Sequence, residues 1–311
     1  MSKELIKIEP VEYAFRVELS IGMICNYNCP YCIEKSNRDK SGWIDIDALI
    51  NFCNDISDRN SHRPVTIALA NGGEPSMHPR IIDFMKAMKR KSNIIFQLTT
   101  NGSRPIEWWE KNLKYLDHLV MTFHCTECNH DEFFKKVKYI SQHLTMTVVI
   151  PLYSPVFSIQ YEFGRKLVNE CDNVFVSFKP LVNKPYEKPY EWTDEQKQYF
   201  IDNPFFISKN YDRTKRKAVN MNVKAYYDDG TIEEVRPQIL VAKNMDRFKG
   251  WKCHIGTEFL KVDHYGNIYC CDDNKSGNIK ESYTLPTEPV ICKINKCNCG
   301  FMVAIKKEKV N

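Results

Sequence analysis

Three cysteines lie close together near the start of the chain. In the segment Cys25-Asn26-Tyr27-Asn28-Cys29-Pro30-Tyr31-Cys32 they are spaced C-x3-C-x2-C. Three thiolates on one short loop can each bind one iron of a cubane cluster, and the neighbouring sequence offers no fourth protein ligand. One iron would then remain open for chemistry. The spacing therefore indicates a 4Fe-4S cluster held by Cys25, Cys29 and Cys32.

Zinc and disulfide bonds are the two alternatives for this triplet. A structural zinc site needs four ligands, and a catalytic one needs three plus water. Zinc loops also tend to pair their cysteines in twos. A disulfide is unexpected in a chain that begins without a signal peptide. Both alternatives are weaker than a cluster for these three residues.

The cysteine loop resembles the signature of the radical S-adenosylmethionine (radical SAM) superfamily, in which an aromatic residue, here Tyr31, precedes the last cysteine. The resemblance implies that SAM chelates the open iron and is cleaved reductively to a 5'-deoxyadenosyl radical, which removes a hydrogen atom from the substrate. It also implies an electron donor such as flavodoxin or ferredoxin. Because the cofactor carries this chemistry, the protein contributes binding, orientation and exclusion of solvent.

A second motif, Gly72-Gly73-Glu74-Pro75, follows the next predicted strand. Paired glycines allow the backbone to approach a ligand closely, and the proline stiffens the turn. The tetrapeptide resembles the segment of radical SAM enzymes that holds the SAM amino group through backbone carbonyls and the Glu. Taken alone, it is also compatible with an ordinary turn between a strand and a helix.

Further SAM contacts are expected at the ends of later strands, where barrel enzymes keep their ligand contacts. Thr99, Thr100 and Asn101 have this position at the end of one predicted strand. At the end of the next strand, the resemblance implies contacts to the SAM ribose or to the substrate, with Thr122 and His124 as the candidates. The alternative for the first three residues is a simple Thr-Asn-Gly turn.

Predicted strands alternate with predicted helices through the first part of the chain, which indicates an α/β fold with a parallel sheet. Six such units match the partial (βα)6 barrel that the resemblance implies. The predicted strands are 14–20, 65–70, 94–99, 118–124, 144–150 and 174–178, and the predicted helices between them are 44–58, 80–91, 105–116, 131–143 and 155–171. Lys179 ends the last strand, where it either meets a carboxylate or phosphate or is solvated.

Cys125 and Cys128 form a C-x2-C pair beyond the fourth predicted strand. They are candidate hydrogen-atom donors to a substrate radical or ligands of a further metal, and an inert role is also compatible with their positions.

A second group of cysteines lies near the end of the chain. Cys253 and Cys271 are spaced C-x12-G-x4-C around Gly266, on a hairpin predicted at 259–263 and 268–270 that should bring the two cysteines together. This spacing resembles the twitch or SPASM extension of radical SAM enzymes, which houses auxiliary 4Fe-4S clusters. The full SPASM pattern is incomplete here, so a twitch-like form with one auxiliary cluster is expected. A zinc knuckle is the alternative.

The expected auxiliary ligands are Cys253 and Cys271 with two of Cys292, Cys297 and Cys299; the C-x-C of the last two is preferred. Cys270 is then left as a candidate hydrogen-atom donor or as a buried residue. A cluster with four protein ligands suits electron relay, whereas an open iron would allow direct binding of the substrate.

Composition sets the limits on class and location. The 311 residues are 43% hydrophobic with a net charge of +5, which suits a large core and does not by itself argue for nucleic acid. No apolar run is long enough to cross a bilayer, so a cytoplasmic protein without membrane contact is expected. The expected organisation is a radical SAM barrel at 1–180, a linker with a short helix at 194–202 and a hairpin at 223–235 within 181–250, an auxiliary cluster domain at 251–303 and a basic tail at 304–311.

The resemblance thus implies a radical SAM enzyme that oxidises, epimerises or rearranges a peptide or a small amino- or sugar-type metabolite. A nucleotide or nucleic-acid substrate is the first alternative, because a basic run and an aromatic linker offer phosphate and stacking contacts. The basic run consists of Lys209, Arg213, Lys215, Arg216 and Lys217. Charge runs are also commonly solvated. An alternative of another class is a non-catalytic iron-sulfur or zinc protein, for which the motif at Gly72–Pro75 would have no purpose.

Overall fold

The structure, a computed structural model, describes residues 3–32, 42–181, 192–217, 219–271, 274–297 and 300–310. In these ranges the chain forms two β-sheets with helices packed against them. The strands are β1 (Leu5–Pro10), β2 (Phe15–Ser20), β3 (Val65–Asn71), β4 (Ile94–Thr100), β5 (His118–Thr122), β6 (Met146–Leu152), β7 (Val174–Pro180), β8 (Phe205–Ile207), β9 (Val223–Tyr227), β10 (Ile232–Val235), β11 (Lys252–Cys253), β12 (Phe259–Val262), β13 (Asn267–Cys271), β14 (Asn274–Asn278), β15 (Val290–Ile291) and β16 (Lys307–Glu308).

Eight α-helices occur in the same ranges. They are α1 (Ile46–Arg59), α2 (Ile81–Met88), α3 (Ile106–Asn112), α4 (His130–Ile140), α5 (Phe157–Glu170), α6 (Asp194–Asp202), α7 (Pro237–Ala242) and α8 (Gly300–Val303). Short 3-10 turns lie at Pro75–Met77, Leu113–Tyr115, Ser154–Val156 and Arg213–Lys215.

Six parallel strands, β2 to β7, form the centre of the larger sheet in the order in which they occur along the chain. Helices α1 to α5 connect them one after another. The predicted α/β alternation is therefore confirmed, with all six strands and all five helices in place. All six residues of β2 are buried, as expected of a strand covered on both faces.

Local sequence explains where the helices begin. The side chain of Asp45 caps α1 by accepting hydrogen bonds from the amides of Asp47 and Ala48. Thr193 and Gln196 form a reciprocal capping box at the start of α6, whose bounds match the prediction.

The large sheet is extended at both of its edges. Strand β8 pairs antiparallel with β7 at one edge. At the other edge β12 pairs in parallel with β2, from Phe259 opposite Arg16 to Val262 opposite Leu19, and β13 and β14 follow in antiparallel order. The hairpin predicted around Gly266 is confirmed, and the cysteine-rich region thus continues the sheet that carries the first cysteine loop.

The second sheet gathers segments from distant parts of the chain, in the order β10-β9-β1-β16-β11-β15. Its hairpin of β9 and β10 was predicted, whereas β1 was not. Strand β1 pairs with both β9 and β16, and its Ile8 is fully buried. Lys307, in the stretch expected to be a basic tail, is only 2% exposed, and its Nζ donates to the carbonyl of Ile305 at 3.1 Å. That part of the tail is therefore a sheet strand.

Each sheet has its own apolar core, one between the parallel strands and helices α1 to α5 and one beneath the second sheet. Within the described ranges, every helix is too short or too polar to cross a bilayer.

Candidate active site

One face of the parallel sheet lines a cavity of about 1750 Å³. Side chains of a strand alternate between its two faces, so every second residue of a strand points the same way. The cavity is lined by alternate residues of four adjacent strands: Ile95, Gln97 and Thr99 of β4, His118, Val120 and Thr122 of β5, Thr147, Val149 and Pro151 of β6, and Phe175, Ser177 and Lys179 of β7. Small-molecule pockets commonly measure ~300–1,000 Å³. This cavity therefore has room for more than one ligand.

The cysteine loop lies at one end of this cavity, just beyond β2. Cys25, Cys29 and Cys32 all line it, and the Cys32 amide donates to the Cys29 carbonyl at 3.1 Å. Burial raises the pKa of Cys29 to about 12, with contributions from Glu127 and from the other two thiols. The three sulfurs are thus close enough to interact. None of the cysteines that the structure describes forms a disulfide.

Hydrogen-bond donors surround the first of these sulfurs. The Tyr27 amide donates to Cys25 Sγ at 3.4 Å, and Asn101 Nδ2 lies 3.9 Å from the same sulfur. Donors of this kind stabilise a thiolate and tune a cluster that it binds. The environment of Cys25 therefore suits a metal-bound thiolate.

The three thiols are spread along one loop. Among the described residues, no three His, Cys, Asp or Glu side chains converge in the way that ligands of a single metal ion do. A cubane binds each thiolate through a different iron, so its ligands lie farther apart than those of one zinc ion. The absence of such a group concerns single metal ions, and the cubane cluster at Cys25, Cys29 and Cys32 stays a prediction.

The glycine-rich segment docks directly on the chain that leads into the cysteine loop. The Gly73 amide donates to the Gly22 carbonyl at 2.8 Å, and the Glu74 amide donates to the Ile24 carbonyl at 2.8 Å. A Cβ on Gly73 would overlap the Ile24 carbonyl, and one on Gly72 would lie 2.5 Å from the Gly22 oxygen. Gly72 also has a φ of +88°. Only glycines permit this close approach.

Glu74 joins the ends of β3 and β4. Its carboxylate is 2% exposed and accepts from the Ser76 amide at 3.0 Å, from Thr100 Oγ1 at 2.6 Å and from the Asn101 amide at 2.7 Å. A carboxylate has about four acceptor positions, so roughly one remains for a ligand. The remaining acceptor position is compatible with the prediction that Glu74 contacts SAM. The three hydrogen bonds also show that Glu74 connects the two strand ends.

Asn101 connects the end of β4 to the cysteine loop. Its Nδ2 donates to Asn26 Oδ1 at 2.9 Å, and its Oδ1 accepts from the Ser103 amide at 3.0 Å. The same cavity is lined by all the SAM contacts predicted in these two segments: Gly72, Gly73, Glu74, Pro75, Thr99, Thr100 and Asn101. Asn26 was not singled out from the sequence, although its position between two cysteines was the available signal.

Tyr31 and His124 form a stacked pair above the cavity. The Tyr31 hydroxyl lies 3.2 Å from His124 Nδ1, and their rings are 6.0 Å apart at 19°. Burial lowers the pKa of His124 to about 4, so the imidazole is neutral at pH 7. Both residues, and Thr122, line the cavity, and their contact with SAM stays a prediction. Glu127, which the sequence analysis did not select, accepts from the Asn28 amide at 3.1 Å.

Cys125 and Cys128 pack against the core next to this pair. Gln160 Nε2 donates to Cys125 Sγ at 3.4 Å, and burial raises the pKa of Cys128 to about 12. Neither cysteine is among the residues that line the described cavity. Cys270 does line the cavity, so its position suits hydrogen-atom donation to a substrate in the cavity better than theirs does.

The C-terminal cysteines gather beneath the second sheet. Cys253, Cys292 and Cys297 are buried in its core, and Cys271 packs against that core from β13. The Cys292 amide donates to the Trp251 carbonyl at 2.8 Å, and burial together with Cys253 raises the pKa of Cys292. The fold thus brings the four described candidates to one region, whereas Cys299 lies outside the described residues.

Cys270 and Cys271 both line the cavity, so the second cysteine region borders the space that the first one enters. Cys270 is 1% exposed and its Sγ lies 2.9 Å from Ser276 Oγ.

Residues 19–146 match the family model described as the Radical SAM superfamily. This part of the chain is therefore similar to the radical SAM domain. The matched range includes the first cysteine loop, the glycine-rich segment and the strand ends up to His124, and it stops before the second cysteine group. No curated protein matches the chain.

Two solved structures are similar in fold to most of this chain. The crystal structure of Streptococcus suis SuiB bound to the precursor peptide SuiA matches at 15% identity and a TM-score of 0.54, covering 88% of this chain and 64% of that one. Native anSMEcpe with bound AdoMet, that is SAM, matches at 13% identity and a TM-score of 0.55, covering 86% and 78%. The chain therefore spans less than two thirds of the SuiB chain.

Proposed function

We propose that this protein is a radical SAM enzyme that cleaves SAM reductively and abstracts a hydrogen atom from a substrate bound in the cavity. The observation that supports this most strongly is the docking of Gly73 and Glu74 on the backbone of Gly22 and Ile24. This contact holds the glycine-rich segment beside Cys25, so a ligand of the cluster would also lie within reach of the SAM-binding segment.

The residues of the chain would act by binding and orientation. Cys25, Cys29 and Cys32 would hold a 4Fe-4S cluster, which together with SAM supplies one-electron cleavage and a 5'-deoxyadenosyl radical. Gly72, Gly73, Glu74 and Pro75 would hold the SAM amino group, and the polar residues at the strand ends would hold the rest of the cofactor: Thr99, Thr100, Asn101, Thr122 and His124. Tyr31 packs over the cavity and would limit access of water.

The second cysteine region is proposed to hold an auxiliary 4Fe-4S cluster in a twitch-like arrangement. Cys253 and Cys271 would serve with two of Cys292, Cys297 and Cys299. The described candidates lie in or against one apolar core, which supports the proposal. An apolar shell limits the access of solvent to a cluster and helps to set its redox potential. Cys270, Cys125 and Cys128 stay proposed hydrogen-atom donors.

The proposed organisation follows from this assignment. The six parallel strands would form a partial barrel within residues 1–180, residues 181–250 a linker and residues 251–303 the auxiliary cluster domain, whereas the expected tail at 304–311 contributes strand β16 to the second sheet. A flavodoxin or ferredoxin would deliver the electron. Oxidation, epimerisation or rearrangement of a peptide or small metabolite is the proposed reaction class. The similarity to SuiB, which was crystallised with a precursor peptide, supports a peptide as one candidate substrate.

Titration of reconstituted protein with SAM tests the proposal. After anaerobic reconstitution with iron and sulfide, calorimetry should show one SAM bound per wild-type chain. Cys29→Ala should abolish that binding, because only two thiolates would remain on the loop. Cys171→Ala is the matched control, since Cys171 is a buried cysteine at the end of α5 and should leave SAM binding intact.

Iron counting on the same samples tests the auxiliary cluster separately. Two cubanes contain about eight irons and one contains about four. About eight irons per wild-type chain, falling to about four in Cys253→Ala, would support the auxiliary cluster. A wild-type value of about four would remove it. Wild-type protein that binds a full cluster and no SAM would contradict the enzyme proposal.

A further inference from the structure

Three arginines line the cavity well away from the cysteine loop. Arg236 reaches β7, where its Nη2 donates to Ser177 Oγ at 3.0 Å, and its guanidinium lies 5.1 Å from the Phe175 ring and 5.2 Å from the Phe205 ring. Arg213 and Arg216 come from the basic run that follows β8. These two arginines of the basic run therefore form part of the cavity wall.

The three arginines line the same cavity, and Arg216 and Arg236 are near enough for their charges to interact. Burial lowers the pKa of Arg236 to about 10, and the charge of Arg216 adds to that effect. Tyr211, another cavity residue, is half-buried; burial raises its pKa, and the charges of Arg216 and Arg213 oppose that effect. Arg213 is exposed, whereas Arg216 and Arg236 are half-buried, so solvent screens the repulsion between these two less completely and a bound anion would relieve it.

No described carboxylate forms an ion pair with these three arginines. The neighbouring lysines of the same run differ, because Lys215 pairs with Asp212 at 3.7 Å and Lys217 pairs with Asp117 at 3.2 Å. Arg216 donates one hydrogen bond to the Val219 carbonyl at 3.2 Å, and a guanidinium has five N–H donors. Most of the donors in the cluster therefore remain available to a ligand.

The carboxylates that line the cavity are engaged elsewhere. Glu18 pairs with Arg16 at 3.2 Å, and Glu74 binds the end of β4. Glu12 accepts from the Asn220 amide, and Glu234 accepts from Asn222 Nδ2, each at 2.7 Å. These acidic groups do not neutralise the arginines through any ion pair in the described chain.

We propose that Arg213, Arg216 and Arg236 form a subsite that binds an oxyanion of the substrate, a phosphate or a carboxylate group. A planar guanidinium matches both groups bidentately, which a lysine does not. The aromatic rings of Phe175 and Phe205 pack beside the Arg236 guanidinium and help to hold it in place. The inference rests on the proposed function in assigning this anion to the substrate.

The position of the subsite also sets the length of the substrate. Phe175 lies near the start of β7, and Lys179 lies near its end, where the sheet faces the cysteine loop. A parallel strand rises ~3.3 Å per residue, so the step from Phe175 to Lys179 is about 13 Å. A substrate anchored by the arginines must therefore extend on the order of 10 Å to reach the hydrogen-abstraction site.

Calorimetric titration of the reconstituted protein with simple anions tests the subsite. Inorganic phosphate, pyrophosphate and citrate would each be titrated at an ionic strength held constant with sodium chloride. We expect at least one to bind, with affinity reduced at least tenfold in Arg216→Gln and in Arg236→Gln. Preference for pyrophosphate over citrate would identify a phosphate-bearing substrate, and the reverse preference a polycarboxylate.

Lys215→Gln is the matched control, because Lys215 belongs to the same basic run, pairs with Asp212 and does not line the described cavity. It should change anion affinity less than twofold. Should Arg236→Gln fail to fold after losing its bond to Ser177, the Arg213→Gln/Arg216→Gln double variant provides the same test. The inference is overturned if no anion binds wild type, or if the arginine variants bind as wild type does.

Failure of the subsite and failure of the proposed function give different experimental results. SAM titration of the same samples reports on the other end of the cavity. Intact SAM binding without anion binding would overturn only the subsite. Anion binding that depends on the arginines, without SAM binding, would overturn the enzyme proposal and leave the subsite established as an anion site.

Discussion

At the scale of single residues, glycines and hydrogen-bonding side chains bring the cysteine loop to its place. Gly72 and Gly73 allow backbone contact with residues 22–24, and Glu74 and Asn101 connect that contact to the end of β4. The motif letters were sufficient to select these residues. They were insufficient to find Asn26 and Glu127, because their roles depend on partners distant in the sequence.

Replacement of Gly72 tests the close contact. Gly72→Ala should reduce iron uptake by at least half and weaken SAM binding at least tenfold, because its Cβ would press on the Gly22 carbonyl next to the cysteine loop. Gly230→Ala is the matched control. Gly230 has a φ of +84°, close to the +88° of Gly72, and nothing lies within 4 Å of the position where its Cβ would be.

Both substitutions carry the same conformational cost of about 1–2 kcal/mol for a positive φ. Only Gly72→Ala adds the steric overlap. Iron content after reconstitution and SAM affinity are the measurements. Equal iron and SAM binding in the two variants would contradict the steric account of this segment.

At the scale of elements, the alternation of strands and helices from β2 to β7 was predictable, because each element has the apolar periodicity of its type. Strand β1 was not predicted. Its six residues carry only a short apolar pattern, and its partners β9 and β16 lie more than two hundred residues away in the sequence. The two-residue strands β11, β15 and β16 are likewise set by pairing partners that local sequence does not reveal.

His118 offers a test of the packing between elements. It begins β5, and its Nε2 lies 3.0 Å from Thr147 Oγ1 of β6. Burial lowers its pKa to about 3, and Arg216 and Arg16 add to that effect, whereas the backbone of Thr145 opposes it. The unfolded chain, with an ordinary histidine pKa of about 6.5, therefore takes up a proton first as the pH falls.

The resulting stability is complete above about pH 6.5 and is lost progressively as the pH falls towards 3. Between pH 6.5 and pH 5 the free energy of unfolding should decrease by about 2 kcal/mol because of this residue. Urea unfolding at pH 7 and pH 5 should show that most of this decrease disappears in His118→Gln and persists in His143→Gln, a change at an exposed histidine. An unchanged pH dependence in His118→Gln would contradict the assignment.

At the scale of the whole molecule, the two cysteine regions meet through the sheet. Strand β12 pairs with β2, so the chain that bears Cys270 and Cys271 borders the same cavity as Cys25, Cys29 and Cys32. The sequence indicated two groups of cysteines and a hairpin at the second. It did not indicate that this hairpin would join the parallel sheet, because a parallel pairing across more than two hundred residues has no local signature.

The same scale explains how the basic run acquires a role. From sequence alone a charge run is most often solvated. In the fold, Arg216 approaches Arg236 just before α7, and Arg213 lines the same cavity. Which charges enter the cavity depends on how the segment after β8 crosses the sheet, and that path is fixed by tertiary contacts.

Detection of 5'-deoxyadenosine is the most direct test of the central claim, which is that the three-cysteine loop and the glycine-rich segment together bind and cleave SAM. Reconstituted protein would be reduced with dithionite in the presence of SAM, and the products separated by chromatography. Wild type and Cys171→Ala should each form one 5'-deoxyadenosine per methionine, and Cys29→Ala should form neither product. Wild-type protein with its cluster loaded and SAM bound, yet no 5'-deoxyadenosine, would contradict the account.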